Sequence, residues 1–214
     1  AAETFIAENP MKDIEFLLAT GNAGIEAATN DVIVDAYYTM LLLVYAAICL
    51  LVYITFNSVR ATICIILPLV ATTILCDSLM AYMGIGIKVA TLPVVALGVA
   101  IGTDYGIYLY AKMENYMKEG LSLIDAYYAT LKTTGNAIVL TALMLSIGVV
   151  TWVWSPIKFQ ADMGLLLTFM FLWNMIGAIW LLPALAYFLI KPETVVAKAE
   201  KKRLKKSKKQ QEKA

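Results

Sequence analysis

The stretch GVAIGTDYGIYL, residues 98–109, places Asp104 in a run from Val89 to Ala111 that holds no other charged residue. A charged side chain in hydrocarbon costs at least ~2.5–3.5 kcal/mol, so such residues face a bundle interior or a water-filled path and commonly serve proton or ion movement. Burial in a medium of low dielectric disfavours the charged form of a carboxyl. Asp104 can therefore take up and release a proton, or else it only hydrogen-bonds a neighbouring helix. Tyr105 brings a phenolic donor beside it, and Tyr108, one turn further on, lies on nearly the same helical face as Asp104. Lys88 and Lys112 bracket the run, and Asp104 is 8 residues from Lys112. At a rise of 1.5 Å per residue that is about 12 Å of depth from the lysine. No cation lies deep in any apolar run, so the carboxyl has no local ion-pair partner within the chain.

Other polar residues share the apolar runs. Asp77, in ILCDSLMAYMG, sits six residues before Met83 and near the opposite surface. Three readings of it are open: a substrate or proton path, a solvated edge residue, or a hydrogen bond to a neighbouring helix. Thr141, Ser146 and Asn174 either join a relay or bond between helices. Gly98, Gly102 and Gly106 recur every four residues, which makes a face that another helix can approach closely. Asp104 is two residues from Gly102 and so points about 200° away from that face. If both faces are kept from lipid, the helix is surrounded and is the central one of its bundle. Cys49, Cys64 and Cys76 all lie in apolar runs without metal-ligand spacing and read as packing residues. The chain has no histidine and no clustered nucleophile and base, so an enzyme is not expected, nor a cofactor or a metal.

The elements that position these residues follow from composition. The chain is 61% hydrophobic and 15% charged, against about 45–50% and about 25% for a soluble domain. Five runs, at 36–56, 61–83, 89–111, 137–154 and 163–190, reach the ~17–25 residues that an α-helix needs to cross a bilayer. They are apolar all round, whereas barrel strands would alternate. The expected fold is an all-α membrane protein with five transmembrane helices. Residues 113–132 read as an amphipathic helix on the membrane surface, with Leu121, Ile124, Tyr127, Tyr128 and Leu131 at helical spacing. Trp152 and Trp154 suit the interfacial aromatic belt. Pro68, Pro93 and Pro183 fall within the runs and should bend or loosen their helices.

The first 30 residues are polar and mixed and begin with Ala1, which reads as a segment of a longer polypeptide or a processed product and not as a signal peptide. Residues 1–35 look like the end of an external soluble domain, with a turn at Gly21-Asn22 and then a strand or short amphipathic helix leading into the first span. Residues 191–214 are too charged to fold alone and read as a disordered tail. With five spans, 14 of the 17 basic residues fall on the side of that tail. The bias puts the C-terminus in the cytoplasm and residues 1–35 outside, in the periplasm of a Gram-negative cell. The tail serves either as a topology anchor near anionic lipid or as a docking site for a cytoplasmic partner. Nucleic acid is not an expected partner, because the basic run has no interleaved aromatic residues.

GVAIGTDYGIYL resembles the glycine-rich Asp-Tyr motif of the resistance-nodulation-division (RND) superfamily, in its MMPL-type branch of exporters of lipids and hydrophobic compounds. GNAGIEAATN, TFNSVRAT and SPIKFQADMGLLLTFMFLWNM are similar to segments of such exporters, and the likeness covers essentially the whole chain. It implies the eighth to twelfth helices of a transporter built of two repeats, each with one helix, an external porter domain and five more helices. It also implies that Asp104 and Tyr105 are a proton-relay pair, partnered by an equivalent pair on the first repeat. The membrane lysine of the drug-efflux branch is absent, which favours the MMPL branch.

The partners so implied are membrane lipids, the first repeat in the same or a separate chain, a hydrophobic substrate, and a homo-oligomer or periplasmic adaptor. The leading expectation is export driven by the proton-motive force at the bacterial inner membrane. A lipid- or sterol-sensing module that does not pump, and a protein-translocation accessory subunit, are the alternatives.

Overall fold

The computed structural model describes residues 22–88 and 91–190. The segment expected to end an external domain, apart from residues 22–35, and the basic tail lie outside them. The described residues form helices without strands, and five helical stretches are long and apolar enough to cross a membrane. Inside hydrocarbon no water is present to pair with backbone groups, and a helix satisfies them within one segment.

Helix α1, Asn22–Phe56, runs unbroken from the lead-in through the first span. The segment after Asn22 is thus the start of that helix and not a strand. Asn57, with φ of +48°, turns the chain into α2, Val59–Tyr82. Asparagine tolerates the left-handed region better than most residues with a Cβ. Gly84, at φ +67°, reverses the chain again before α3, Leu92–Lys118.

Residues 113–132 do not form one surface helix. Their first six residues extend α3, and Gly120, at φ +99°, ends it. Helix α4, Leu123–Thr130, then starts at Ser122, whose side chain accepts from the Asp125 N–H. A π-helical turn, Leu131–Gly135, joins α4 directly to α5, Asn136–Val150, so this amphipathic segment is the base of the fourth span. The amphipathic pattern reports one wet face at a membrane boundary, and a helix that continues into the bilayer satisfies it equally well.

A short 3-10 turn, Thr151–Trp154, leads into α6, Lys158–Ile176, followed by a second π-helical turn, Gly177–Leu181, and α7, Leu182–Leu189. Of the three prolines only Pro68 stands inside a regular helix. Pro93 is in the first turn of α3, where its missing N–H costs nothing, and Pro183 opens α7 directly after the π turn. A π turn absorbs one extra residue, so the last span changes its helical phase there and continues without a break.

Helix α3 holds the middle of the arrangement, in contact with α1, α2, α4 and α6. Half of its span is buried, the largest share among the five. Val94, Val95, Val99, Leu109 and Met113 are fully enclosed along it. One side of α3 nevertheless stays open within the described residues, and Asp104 lies on that side.

Candidate functional site

The glycine stripe of α3 packs as its spacing predicts. A Cβ on Gly98 would stand 2.6 Å from Met170 Sδ, and one on Gly106 would stand 3.0 Å from Ile65 Cγ2. A Cβ on Gly102 would run into the side-chain amide of Asn174 and reach 2.7 Å from Leu69 Cδ2. α2 and α6 thus press closely on this face, most tightly at Gly102.

Asp104 sits on the other side. Its side chain is exposed among the described residues, as is Tyr108 one turn on, and Leu97 is 47% exposed on the same helix. The expectation that α3 is enclosed on both faces is therefore met only on the glycine face. The helices that pack chiefly on α3, which are α1, α2, α4 and α6, leave this side open among the described residues, and α5 packs on α6 instead.

The structure separates the two members of the Asp-Tyr pair. Tyr105 is 3% exposed, and its hydroxyl is buried without a hydrogen-bond partner among the described residues. Successive residues on a helix point 100° apart, so a carboxyl directed out of the bundle leaves the next side chain directed along or into it. Tyr108 is the tyrosine that shares the open face with Asp104.

Asp77 bonds to a neighbouring helix. The Tyr37 hydroxyl on α1 donates to Asp77 Oδ1 on α2 at 2.6 Å, and Tyr37 is 2% exposed. One layer further into the membrane, Tyr45 and Thr73 share a hydrogen bond of 2.8 Å between the same two helices. Asn174 also bonds between helices: its Nδ2 donates to the Gly98 carbonyl at 2.7 Å, and its Oδ1 is buried without a partner among the described residues. Thr141 is exposed and donates to the Ala137 carbonyl of its own helix at 2.8 Å. Ser146 is buried, with no partner for its hydroxyl among the described residues.

Sequence reasoning missed three features, and two of them had no local signature. Tyr37 stands 40 residues before Asp77, and no spacing rule connects them. Gly164 lets α6 lie against the end of α5, since a Cβ there would meet the Val149 carbonyl oxygen at 2.7 Å. Tyr127 on α4 donates to the Ile179 carbonyl at 3.0 Å. Here a signal was present in the sequence: Pro183, four residues beyond Ile179, has no N–H to complete an α-helical bond to that carbonyl. The phenol supplies a donor there and ties α4 to the last span. Beside this bond lies a groove of about 360 Å³ with Tyr127, Tyr128, Trp180 and Tyr187 in its walls. A second, of about 320 Å³, lies between Pro68, Leu75, Trp173 and Trp180.

Fold and site together define a helical membrane protein that crosses the bilayer several times and carries a carboxyl on an open face of its most buried span. The sequence profile of the MMPL family matches residues 6–211, and the chain belongs to that family of RND-type membrane proteins. A protein of Methanocaldococcus jannaschii, named as a membrane protein, is 24% identical over 182 residues. That match covers 84% of this chain and 46% of the relative, so the chain spans about half the length of the protein it matches.

Proposed function

We propose that this chain is the proton-coupled half of an exporter of lipids or other hydrophobic compounds, driven by the proton-motive force, with Asp104 as the group that loads and releases the proton. The observation that carries the reading is the placement of Asp104: a carboxyl midway along the most buried span, on a face of α3 left open by the other described residues. An open carboxyl in hydrocarbon is untenable, so this face meets either water or further protein. A second MMPL-type repeat, in the same or a separate chain, is the partner we assign to it, in keeping with the half-length match to the relative.

Tyr108, on the face of Asp104, is placed to exchange the proton more directly than Tyr105, whose hydroxyl is turned into the bundle. Tyr105 then acts in the relay only after water enters beside it. Membership of the MMPL family favours transport over a translocation accessory role. The orientation we assign has residues 1–35 in the periplasm and the tail in the cytoplasm of the cell membrane, because 14 of 17 basic residues lie on the tail's side.

The test is Asp104→Asn in the full transporter. The amide keeps the shape and hydrogen-bonding capacity and cannot titrate, so expression and folding should match wild type. Export driven by an imposed pH gradient in vesicles should fall to background. Undiminished export in the asparagine variant would reduce Asp104 to a structural hydrogen-bond partner.

A further inference from the structure

Asn174 is 3% exposed, and only one end of its amide is paired: Nδ2 donates to the Gly98 carbonyl, while Oδ1 has no partner among the described residues. An amide with an unpaired buried end is a poor way to fill space, because an apolar side chain of similar size would leave no polar atom unsatisfied. What the asparagine adds is direction. A leucine packs against a helix in several neighbouring positions, whereas an amide bonded to one carbonyl fits in one.

The opposing surface is shaped for that bond. Gly98 contributes its carbonyl, whose second lone pair remains available alongside the helical ladder. Gly102 contributes an empty position, since a Cβ there would stand 2.5 Å from Asn174 Nδ2. The amide is thus seated in a notch between two glycines one turn apart on α3. Asp104 is two residues beyond the notch on the same unbroken helix. Whatever sets the depth and rotation of α3 at Gly102 also sets them for the carboxyl.

We propose that Asn174 is the positioning residue for Asp104: its amide, seated in the Gly98–Gly102 notch, locks α3 in one axial and rotational register against α6 and so fixes where the carboxyl stands on the open face. This rests on the reading of Asp104 as the proton carrier. Polar residues that fix register at a cost in stability are known in coiled coils, and the unpaired Oδ1 is the cost here.

The experiment uses the full-length protein in vesicles, with dicyclohexylcarbodiimide as the probe of Asp104 and labelling read by mass spectrometry. Asn174→Leu should keep or raise the melting temperature while changing the labelling rate at Asp104 roughly fivefold, the weight of one buried hydrogen bond. Gly102→Ala, which puts a methyl group into the notch, should lower stability. Adding Asn174→Ala to it should restore stability by clearing the notch and leave the labelling rate altered, which a purely structural role would not do. Wild-type labelling in a folded Asn174→Leu protein would overturn the proposal. So would a double variant no more stable than Gly102→Ala alone, and this pair decides the matter if the leucine variant does not fold. None of these readouts depends on export, so undiminished export in Asp104→Asn would remove the relay reading separately and leave the register result to stand or fall by itself.

Discussion

Gly164→Ala adds one methyl group at the place where α6 lies against the end of α5. The new Cβ would stand 2.7 Å from the Val149 carbonyl oxygen, 2.7 Å from Trp152 Cβ and 3.4 Å from the Trp152 backbone carbon. None of these is the far end of a flexible side chain, so none can swing aside. The α5–α6 hairpin has to open instead. Overpacking of this kind costs about 1–3 kcal/mol, reduced by the ~1 kcal/mol by which alanine is the better helix former. The net expectation is a loss of about 1–2 kcal/mol.

Gly148→Ala is the matched control. It lies in α5, and a Cβ there meets nothing within 4 Å. Only the backbone term remains, a gain of about 0.5–1 kcal/mol. The same chemical change should therefore move stability in opposite directions at two positions of one hairpin. Thermal unfolding of the purified protein in detergent, followed by tryptophan fluorescence, reads both variants. Trp152 reports on the affected contact directly. Because α6 also carries Met170 and Asn174 against the glycine stripe of α3, Gly164→Ala should lower export as well. A Gly164→Ala protein as stable as Gly148→Ala would refute the reasoning, since it would mean that the hairpin does not hold the backbone approach described.

Tyr37→Phe removes the hydroxyl that donates to Asp77 and should cost about 1 kcal/mol in the same unfolding assay. If Asp77 serves only to join α1 to α2, export per folded molecule will be unchanged in this variant, and a loss of export without a loss of stability would instead put Asp77 on the transport path. For orientation, a fluorescent protein that matures in the cytoplasm but not in the periplasm, fused after Ala214, should be bright. A dark fusion that is expressed and inserted would reverse the assigned topology.

The number of spans, their helical character and the candidate carboxyl were legible in the sequence, because each rests on a local quantity. Twenty apolar residues in a row must satisfy their own backbone in hydrocarbon whatever surrounds them. The period of four in Gly98, Gly102 and Gly106 likewise marks a close helix contact before the partner is known. The partner itself was not legible. Which helix fills the notch, and that Asn174 does so with its amide, depends on how α6 passes α3, and residues 76 apart carry no mutual spacing rule. The pairing of Tyr37 with Asp77 is of the same kind.

The tertiary structure also decided the side on which α3 stays uncovered. A helical wheel places Asp104 opposite Gly102, but only the packing of α1, α2, α4 and α6 determines that the carboxyl's side remains open and that Tyr105 turns inward. Continuity between α4 and α5 was settled there too, since an amphipathic pattern looks alike in a surface helix and in the base of a span. Sequence fixes what each segment can bury, through its own chemistry; which segment buries which is a property of how the helices assemble, and among the described residues that assembly leaves Asp104 facing outward.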